Sequence, residues 1–539
     1  MKKAKRIISI FLVLVIASGL LAGCKKEEAV DSGKRTLTVG IPQSSVTPDY
    51  DTNKFCTYLE EKTGIDIKWK YYASAPQNYK QQITLACSAN DELPDVFLGF
   101  QGFDHYFLNQ LGEDGYCIDL RDLLEDHAPN FQKAMKQLDK DYQDYLWEKG
   151  TNTNTGAFYA MPMAMELYMD NLQSMTWINK TWLDKVGKSI PTTVDELYDV
   201  LKAWKAYGDL NGNGKQDEMY MLADAATRYY VVNAFVEMQG TNWNVKDGKL
   251  WDPVVSDEYR QALIFFNNLV KEGLVDKMAF TLSEQEYKQV ITPTSGGSTV
   301  GIWSGHYSGR TNHAMNQLDE FVALPALADY TGKGGYTIYT DHVVYWTTVI
   351  SKDCENPELA MELIDCFYED ETVSRMRHGE KDVDWTYEEG TNVHGTKSYV
   401  KVINEEAFSD RSLNITVGNW LGILTHWNYS ALEEDDSVLS NYGKNSNRLY
   451  KEQWKYMLEG KRPEEPLGDL VYTTEEYDKR EEKAGTSNEH ITSMAVLFIS
   501  GEKDPSDDAV WNTYLQEVKQ LGREELQKIA QAAYDRKTK

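Results

Sequence analysis

Hydrophobic and polar positions near the start of the chain alternate between strand and helix patterns. Residues 36–41 alternate polar and apolar, which is typical of a half-buried strand, and residues 53–62 have apolar side chains at helical spacing. A second strand pattern covers residues 65–71, a second helix pattern covers 79–89, and residues 93–98 form an apolar run typical of a buried strand. This β-α-β-α-β order predicts a mostly parallel sheet flanked by helices.

The same order of patterns returns in the middle of the chain. The strand and helix patterns there cover residues 174–179, 194–204, 220–223, 259–272, 299–302 and 321–324. Two α/β lobes fit this order better than one sheet does. An apolar strand pattern at residues 341–351 leads into a helix pattern at 357–368, which is long enough to carry the chain back to the first lobe.

Composition and charge narrow the class of protein. The 539 residues are 41% hydrophobic and 26% charged, as in globular proteins, and are numerous enough for several domains. The 84 Asp and Glu residues outnumber the 56 Lys and Arg residues, so the net charge is −28. A field of that sign repels phosphate backbones and anionic lipid headgroups, so nucleic acid is not an expected partner. The 14 Trp and 34 Tyr residues favour a site that stacks on its ligand.

The N-terminus has the pattern of a secretory signal. Four basic residues within the first six positions precede an apolar stretch at residues 7–21, which ends in the tetrad LAGC. This tetrad resembles the bacterial lipobox, whose cysteine receives a diacylglycerol and, as a mature N-terminus, a further fatty acid such as palmitate. We expect residues 1–23 to be a lipoprotein signal peptide, Cys24 to be lipidated, and residues 24–35 to be a polar tether. The alternative, an uncleaved signal anchor, needs about 20 apolar residues to span a bilayer.

This N-terminal pattern predicts an extracytoplasmic protein that is anchored to the bacterial cell membrane only through its lipid. Five cysteines remain after Cys24, an odd number without CxxC spacing: Cys56, Cys87, Cys117, Cys354 and Cys366. We expect buried free thiols in a large core. One or two disulfide bridges are the alternative, since the compartment permits them.

Several short motifs together resemble one protein family. They are LPD at residues 93–95, FYAMP at 158–162, WINKTWLDKVG at 177–187 with PTTVDEL at 191–197, KEGLVD at 271–276, NPELA at 356–360 and FISG at 498–501. In this order they resemble extracellular solute-binding lipoproteins of carbohydrate ABC transporters, the family 1 solute-binding proteins, in the large branch that includes alginate-binding proteins. The resemblance covers about the whole mature chain.

The resemblance implies a fold and a function. The fold is the α/β type II periplasmic-binding-protein fold, in which two lobes joined by several crossovers close on a ligand in the cleft between them. Residues 36–163 and 344–415 would form lobe 1, and residues 164–343 and 416–535 would form lobe 2. The function would be that of a monomeric, lipid-anchored receptor that captures an oligosaccharide and delivers it to the permease subunits of an ABC importer.

A ten-residue segment of the predicted lobe 2 has the spacing of a calcium loop. Residues 209–218 (DLNGNGKQDE) have oxygen-bearing side chains at relative positions 1, 3, 5 and 9 and glycine at position 6, as an EF-hand does. Position 12 is Tyr220 rather than a bidentate glutamate, so Glu218 would close the site. By resemblance to alginate-binding proteins, which hold a structural Ca²⁺ in such a loop, the ligands would be the side chains of Asp209, Asn211, Asn213, Asp217 and Glu218 and the carbonyl of Lys215. The alternative is an Asn- and Gly-rich turn without metal.

Aromatic side chains are the expected sugar contacts, because sugar rings pack on indole and phenol planes. Trp303 ranks first, since it follows a strand pattern and lies near Gly305, which permits close approach of a ligand. Asp95 is included because its strand runs toward the ligand-facing edge in the resembled family. The other candidates are Trp177, His306, Tyr307, Trp346, Trp385, Trp420 and Trp427. For each tryptophan the alternative is core packing, and for Asp95 it is a local cap or turn contact.

Motifs of common enzyme classes do not occur in the sequence. It contains no GxSxG, HExxH, P-loop or GxGxxG motif. We therefore expect a binding protein rather than an enzyme. A peptide-binding ABC transporter lipoprotein is one alternative, because a cleft does not fix the class of ligand. An extracellular glycan-degrading enzyme is the other, because a glycoside hydrolase needs only two suitably spaced carboxylates.

Overall fold

The computed structural model describes residues 35–44, 47, 49–165, 175–238, 242–292, 297–305, 318–337, 343–391, 397–417, 441–468 and 470–538. The strands in these ranges are β1 (Arg35–Pro42), β2 (Ile65–Tyr72), β3 (Val96–Phe97), β4 (Met161–Met165), β5 (Thr176–Asn179), β6 (Asn244–Lys246), β7 (Lys249–Trp251), β8 (Ile302–Ser304), β9 (Phe321–Ala323), β10 (Val343–Ile350), β11 (Trp385–Thr391) and β12 (Lys397–Val402). The helices are α1 (Lys54–Thr63), α2 (Pro76–Ala89), α3 (His105–Glu113), α4 (Arg121–Asp126), α5 (Pro129–Met135), α6 (Lys140–Gly150), α7 (Lys180–Lys185), α8 (Val194–Tyr207), α9 (Ala225–Val232), α10 (Asp257–Lys271), α11 (Glu284–Ile291), α12 (Pro357–Asp365), α13 (Asp370–His378), α14 (Glu405–Ser409), α15 (Asn441–Glu459), α16 (Thr474–Ser500), α17 (Asp508–Gln520) and α18 (Arg523–Lys537).

The larger sheet has five strands in the order β2-β1-β3-β10-β4. Strand β1 pairs in parallel with β2 along its whole length and with β3 on its other side. The first three predicted strands and their connecting helices α1 and α2 are therefore confirmed. Strand β10 runs antiparallel to both β3 and β4, so the sheet is mixed rather than mostly parallel. Strand β10 runs opposite to its two neighbours, and it belongs to the stretch of chain that returns to this sheet after the chain has left it at the end of β4.

The second sheet has three short strands in the order β8-β5-β9, and both pairings are antiparallel. Side chains alternate between its two faces, so Ile178 and Ile302 pack into one buried cluster while Trp177 and Trp303 pack into another. The predicted strand at residues 220–223 was wrong, because this segment makes only isolated bridges, such as that between Leu222 and Asp276.

Buried hydrophobic side chains form two large cores. The first core draws its side chains from residues 37–164 and 346–417, and the second core draws its side chains from residues 178–327 and 491–518. Each core therefore combines two separate stretches of the chain. The lobe boundaries given by the sequence stay a prediction.

Helix α16 links the second core to the first. Its end buries Ile491 and Phe498 in the second core, before Gly501 closes the helix with a left-handed φ of 82°. At its start, Thr473 accepts a hydrogen bond from the Glu476 N–H, and the Glu476 carboxylate accepts one from the Thr473 N–H. This reciprocal pair satisfies two helix-end donors and fixes where α16 begins.

The first turn of α16 contacts helix α3 of the first core. The rings of Tyr106 and Tyr477 stack with centroids 4.2 Å apart and planes 2° from parallel. Tyr106 Oη donates a hydrogen bond to Asp478 Oδ1 at 3.0 Å. Close by, Asn154 Nδ2 donates to Thr474 Oγ1 at 3.0 Å. These contacts hold the start of α16 against the first core.

The five cysteines after Cys24 are all buried and none forms a disulfide, which confirms the prediction of free thiols. Burial raises the pKa of Cys87 and of Cys366 to about 11, and that of Cys117 to about 12. These thiols therefore stay protonated at neutral pH, and they contribute to packing rather than to reactivity.

The N-terminal predictions concern residues that the structure does not describe. The predicted signal peptide at residues 1–23, Cys24 and the tether up to residue 34 all lie outside the described ranges. Among the helices that are described, none combines the length and the apolar character needed to cross a membrane.

Candidate functional site

A cavity of about 300 Å³ lies at the carboxyl ends of β1, β2 and β3. Because β2 and β3 flank β1 on opposite sides, the direction of strand addition reverses here, and open α/β sheets bind ligands at such points. The loops that follow the three strands line this strand-end cavity with Pro42, Gln43, Ser44, Ser74, Pro76, Tyr79, Gly99, Gln101 and Gly102.

The sheet holds the backbone of the strand-end cavity in place. Gln43 N donates to Tyr72 O at 2.8 Å, which ties the end of β1 to the end of β2. Phe100 N donates to Thr347 O at 2.8 Å, which ties the loop after β3 to β10. The amide side chains of Gln43 and Gln101 are exposed, and they are the amide groups that a ligand in this cavity would meet.

Tyr79 and Gly102 form a rigid wall of the cavity. Gly102 N donates to Tyr79 Oη at 2.6 Å, and burial raises the pKa of this phenol. The Tyr79 ring packs edge-to-face on Phe100 with centroids 5.0 Å apart, and Phe100 stacks on Phe103 at 5.0 Å. These three packed rings give the cavity a wall that keeps its shape without a ligand.

Adding one methyl group to this wall is expected to destabilise the protein. A Cβ at position 102 would overlap Tyr79 Oη and Pro76, so Gly102→Ala forces the wall to move at a cost of about 1–3 kcal/mol. Gly485→Ala adds the same methyl group inside α16, where nothing lies within 4 Å, and should stabilise the protein by about 0.5–1 kcal/mol. Urea denaturation of both variants measures the difference, and equal effects would contradict the rigid wall.

The chemistry of the strand-end cavity is neutral. None of the described residues that line it is Asp, Glu, Lys, Arg or His. Two side-chain amides, two serine hydroxyls and the apolar faces of two prolines and a tyrosine provide the surface. This set matches a ligand with many hydroxyl groups and no charge, because amides and hydroxyls both donate and accept hydrogen bonds.

The sequence analysis did not include Gln43 or Gln101 among the candidate site residues. Both are common polar residues without a chemical signature of their own. Their positions in the sequence could have identified them, because each follows a predicted strand of a parallel β-α-β unit, at residues 36–41 and 93–98. The carboxyl ends of those strands meet at one edge of the sheet.

Three of the tryptophans expected in the cleft are core residues in the structure. Trp177, Trp303 and Trp385 are completely buried, so none has a ring face open to a ligand. Trp177 Nε1 donates to Gly305 O at 3.0 Å, and Trp385 Nε1 donates to Gly379 O at 2.9 Å. All three therefore pack in the core, which was the alternative considered for each tryptophan.

Trp346 and Asp95 also lie away from the strand-end cavity. Trp346 is buried in β10, where its ring packs edge-to-face on Phe158 with centroids 5.6 Å apart. Asp95 lies at the amino end of β3, and its Oδ2 accepts a hydrogen bond from Thr38 N at 2.7 Å. This is the local contact considered as its alternative, since the cavity is at the opposite ends of the strands. The remaining candidates, His306, Tyr307, Trp420 and Trp427, lie outside the described residues.

The predicted calcium loop is a tight turn of hydrogen bonds around Asp209. Its Oδ1 accepts from Gly212 N at 2.7 Å and its Oδ2 accepts from Gly214 N at 2.8 Å. Asp217 accepts from the side-chain amides of Asn211 and Asn213 at 3.2 and 3.1 Å. Asp209 thus orders the loop backbone, and Asp217 holds the two asparagine side chains.

One carboxylate oxygen of Glu218 has no hydrogen-bond partner among the described residues. Its Oε1 accepts from Leu210 N at 2.6 Å, whereas its Oε2 is buried without a hydrogen-bond partner among the described residues. A buried carboxylate oxygen without a partner is costly, and a hard cation would satisfy it. The described residues contain no group of three or more His, Cys, Asp or Glu side chains that could hold a metal ion, so a cation here would also need the asparagine oxygens and a carbonyl.

The chain is similar to known proteins over most of its length. The family model described as "Bacterial extracellular solute-binding protein" matches residues 44–373. A curated relative is the fructooligosaccharide ABC transporter substrate-binding protein FusA of Streptococcus pneumoniae, which is 27% identical over 312 residues, 56% of this chain and 54% of FusA. The matches to curated relatives span between 54% and 63% of those relatives' own lengths.

Solved structures share the fold at lower identity. An EF-hand mutant of S. pneumoniae FusA in complex with fructo-nystose superposes with a TM-score of 0.74 at 21% identity, covering 93% of this chain and 99% of that one. The alginate-binding protein AlgQ2 without calcium ion superposes with a TM-score of 0.61 at 16% identity, covering 93% and 98%. These likenesses establish the α/β periplasmic-binding-protein fold.

Proposed function

The chain belongs to the bacterial extracellular solute-binding protein family, and from this premise we propose that it captures a neutral oligosaccharide and delivers it to an ABC importer. The strand-end cavity is the observation that supports this most directly, because it offers only amides, hydroxyls and apolar faces. The relative FusA is named for fructooligosaccharide binding, which is the same class of ligand.

The proposed function requires two bodies that close over the ligand, and the two hydrophobic cores support this arrangement. In the proposal, residues 36–163 with 344–415 and residues 164–343 with 416–535 form lobes that close over the sugar. The closed form then docks on the permease subunits as a monomer. Lipidated Cys24 would hold the receptor at the outer face of the cell membrane, and membrane fractionation of a Cys24→Ser variant tests this anchor.

Within this family, a peptide is the main competing ligand. Peptide termini carry a positive and a negative charge, and their capture needs charged partners. The described lining of the strand-end cavity offers none, which favours a sugar. Glycan cleavage is not part of the proposal, since it would need two carboxylates at the bound sugar.

A thermal-shift panel on residues 25–539 tests the proposed function. We expect stabilisation by one series of neutral oligosaccharides, for which the FusA ligands kestose and fructo-nystose are the first probes. Uronate oligomers and a peptide mixture are the comparison sets. A response to peptides alone, or to no carbohydrate, would overturn the proposal.

Variants of the two amides locate the ligand. Gln43→Ala with Gln101→Ala should weaken binding of the active oligosaccharide by about tenfold, the equivalent of one or two lost hydrogen bonds. Gln520→Ala is the matched control, because this exposed amide lies at the end of α17, far along the chain from the cavity. Unchanged affinity in the double variant would place the sugar elsewhere.

We also propose that residues 209–218 bind a structural Ca²⁺. The oxygen-rich donor set and the unpartnered Glu218 Oε2 support it. A bound Ca²⁺ would neutralise the loop carboxylates and stabilise the second core, and Glu218 and Asp217 would hold it together with Asp209, Asn211, Asn213 and the carbonyl of Lys215. One of the similar solved structures is an EF-hand mutant of FusA, which is consistent with a cation in relatives.

Chelation is expected to lower the melting temperature of the wild-type protein. At a free Ca²⁺ concentration about 100 times the Kd, the ion adds about 2.7 kcal/mol to the free energy of unfolding. Glu218→Gln should lose most of this response. Asp329→Asn is the control, because Asp329 also accepts backbone hydrogen bonds, from Thr331 N and Lys333 N at 2.8 Å, in a turn without the calcium spacing. A wild-type protein that is insensitive to chelator would contradict the calcium proposal.

A further inference from the structure

A small cavity lies within the second core, where α9, α10 and α16 meet. Its volume is about 20 Å³, which is enough for one particle of the size of a water molecule. All of its lining residues come from the two stretches of chain that build the second core, so it is separate from the strand-end cavity of the first core. Arg228, Tyr229, Tyr259 and Thr492 provide its polar groups, and apolar side chains provide the rest of its wall. We call it the Arg228 cavity.

Arg228 gives this cavity a cation without a carboxylate. Its Nε is buried and has no hydrogen-bond partner among the described residues, and Arg228 forms no ion pair with any of them. Asp224, one helical turn earlier, instead caps α9, since its Oδ1 accepts from Thr227 N at 2.9 Å. A guanidinium stays charged at any ordinary pH, and a buried donor without an acceptor costs free energy. An acceptor in the cavity would remove this cost.

Two tyrosine hydroxyls add further donors. Tyr259 is only 3% exposed, and neither its hydroxyl nor that of Tyr229 makes a hydrogen bond within the described part of the chain. Burial raises the pKa of both phenols, so both stay protonated at neutral pH and keep an O–H to donate. Tyr229 and Arg228 both lie close enough to Tyr259 to influence its pKa. The three donor groups are therefore neighbours around one small space.

No negative charge of the protein serves these donors. The residues that line the cavity include no Asp or Glu among those the structure describes. Asp252 is close enough to influence Tyr259, but its carboxylate accepts from Arg523 Nε at 2.8 Å and from Arg523 Nη2 at 3.1 Å. The Thr492 hydroxyl donates to Asn488 O at 2.9 Å. The cavity is thus a local positive site in a protein whose net charge is −28.

The size of the cavity selects among its possible occupants. A volume of about 20 Å³ holds a single atom and leaves no room for phosphate, sulfate or a carboxylate group. Chloride is a monatomic anion that accepts hydrogen bonds from N–H and O–H groups alike. A water molecule would also fit, but it would leave the charge of the guanidinium uncompensated, and an uncompensated buried charge is costly.

We propose that the Arg228 cavity binds a chloride ion, which accepts hydrogen bonds from Arg228 Nε and from the hydroxyls of Tyr229 and Tyr259. The ion joins α9 to α10, and the apolar face of α16 covers it, so its binding stabilises the second core. This inference is independent of the proposed function, because no residue of the strand-end cavity or of the calcium loop takes part.

A chloride titration at constant ionic strength tests the site. The protein, residues 25–539, is placed in sodium methanesulfonate, whose anion is too large for the cavity, and chloride replaces that anion in steps. We expect the melting temperature to rise by about 2 °C and then to level off, as binding at one site requires. A melting temperature that does not respond to chloride, or that rises without levelling off, would overturn the proposal.

Bromide locates the ion directly, because it replaces chloride and scatters X-rays anomalously. Crystals grown in sodium bromide should show an anomalous peak in contact with Arg228 Nε. A cavity that holds only water under these conditions would exclude the chloride site.

Variants identify the groups that hold the ion. Arg228→Met removes the cation and should abolish the chloride-dependent shift in melting temperature. Tyr259→Phe keeps the ring, removes one donor and should raise the chloride concentration at half-effect by about tenfold. It also provides the test if Arg228→Met does not fold. Chloride responses in Arg228→Met and Tyr259→Phe equal to that of the wild type would show that these groups do not bind the ion.

Arg260→Met is the matched control. It removes the same charge one residue away from Tyr259, but the Arg260 guanidinium already has a carboxylate partner, since its Nη2 lies 2.7 Å from Asp508 Oδ1. The chloride response of this variant should equal that of the wild type. Loss of the response in Arg260→Met as well would mean that chloride acts through the overall charge of the protein, and would overturn the Arg228 site.

Discussion

Trp303→Ala is expected to lower the free energy of unfolding by about 3–5 kcal/mol, as large aromatic deletions in cores do. The Trp303 ring is completely buried, with the Trp177 centroid at 6.0 Å and the Phe321 centroid, edge-on, at 5.9 Å. Alanine would leave a cavity on one face of the β8-β5-β9 sheet that the short strands close poorly. Urea denaturation measures the loss. Tyr207→Ala, at a 53% exposed tyrosine, is the surface control and should change stability by at most about 0.5 kcal/mol.

Trp303→Phe separates packing from ligand binding. Phenylalanine keeps most of the ring contacts, and it removes an indole N–H that is buried without a hydrogen-bond partner among the described residues. We expect this variant to fold with a loss of about 1–2 kcal/mol and to bind oligosaccharide as the wild type does. A folded Trp303→Phe protein that no longer bound sugar would mean that this tryptophan contacts the ligand, as the sequence suggested.

Asp252→Asn is expected to cost about 3–5 kcal/mol, because it leaves the buried Arg523 guanidinium without its carboxylate. Both side chains are 6% exposed, and Arg523 Nε and Nη2 donate to the two oxygens of Asp252 at 2.8 and 3.1 Å. The guanidinium carbon also lies 3.8 Å from the Trp243 ring centroid. The pair joins the segment before α10 to the first residue of α18.

The matched control is an ion pair on the surface. Arg260 Nη2 donates to Asp508 Oδ1 at 2.7 Å, but the Asp508 side chain is 85% exposed. Asp508→Asn should cost about 0–1 kcal/mol, since water and salt screen this charge. Calorimetry of both variants gives the comparison, and a loss of similar size in the two would show that burial does not decide the strength of the Asp252 pair.

Local patterns were sufficient to predict the first three strands, because each is amphipathic or buried over its own length and is bounded by a helix signal. They were not sufficient for the pairing of β10. The pattern at residues 341–351 predicted a strand, but nothing local records that its neighbours would be β3 and β4 in the antiparallel direction. Strand order is decided by contacts between distant residues.

The site was harder to predict than the fold for a related reason. The sequence analysis ranked Trp303 first among the candidate sugar contacts. Whether a tryptophan faces a cleft or a core depends, however, on which helices and strands cover it. Here α11 and α15 cover that face, through Tyr287 and Leu449. Gln43 and Gln101 have ordinary side chains, and only the meeting of two strand ends places them together in the lining of one cavity.

The place of β10 in the larger sheet has a consequence for the order in which the protein can fold. Strand β3 ends at Phe97, but its neighbour β10 begins only at Val343, after all strands of the second sheet. Until that late strand arrives, β3 and β4 each have an open edge, and open edges pair readily with other chains. A nascent chain therefore cannot complete its first core before residues 343–350 have been synthesised. We infer that the larger sheet is completed only after β10 has been made, and that the unpaired edges of β3 and β4 are exposed to aggregation until then.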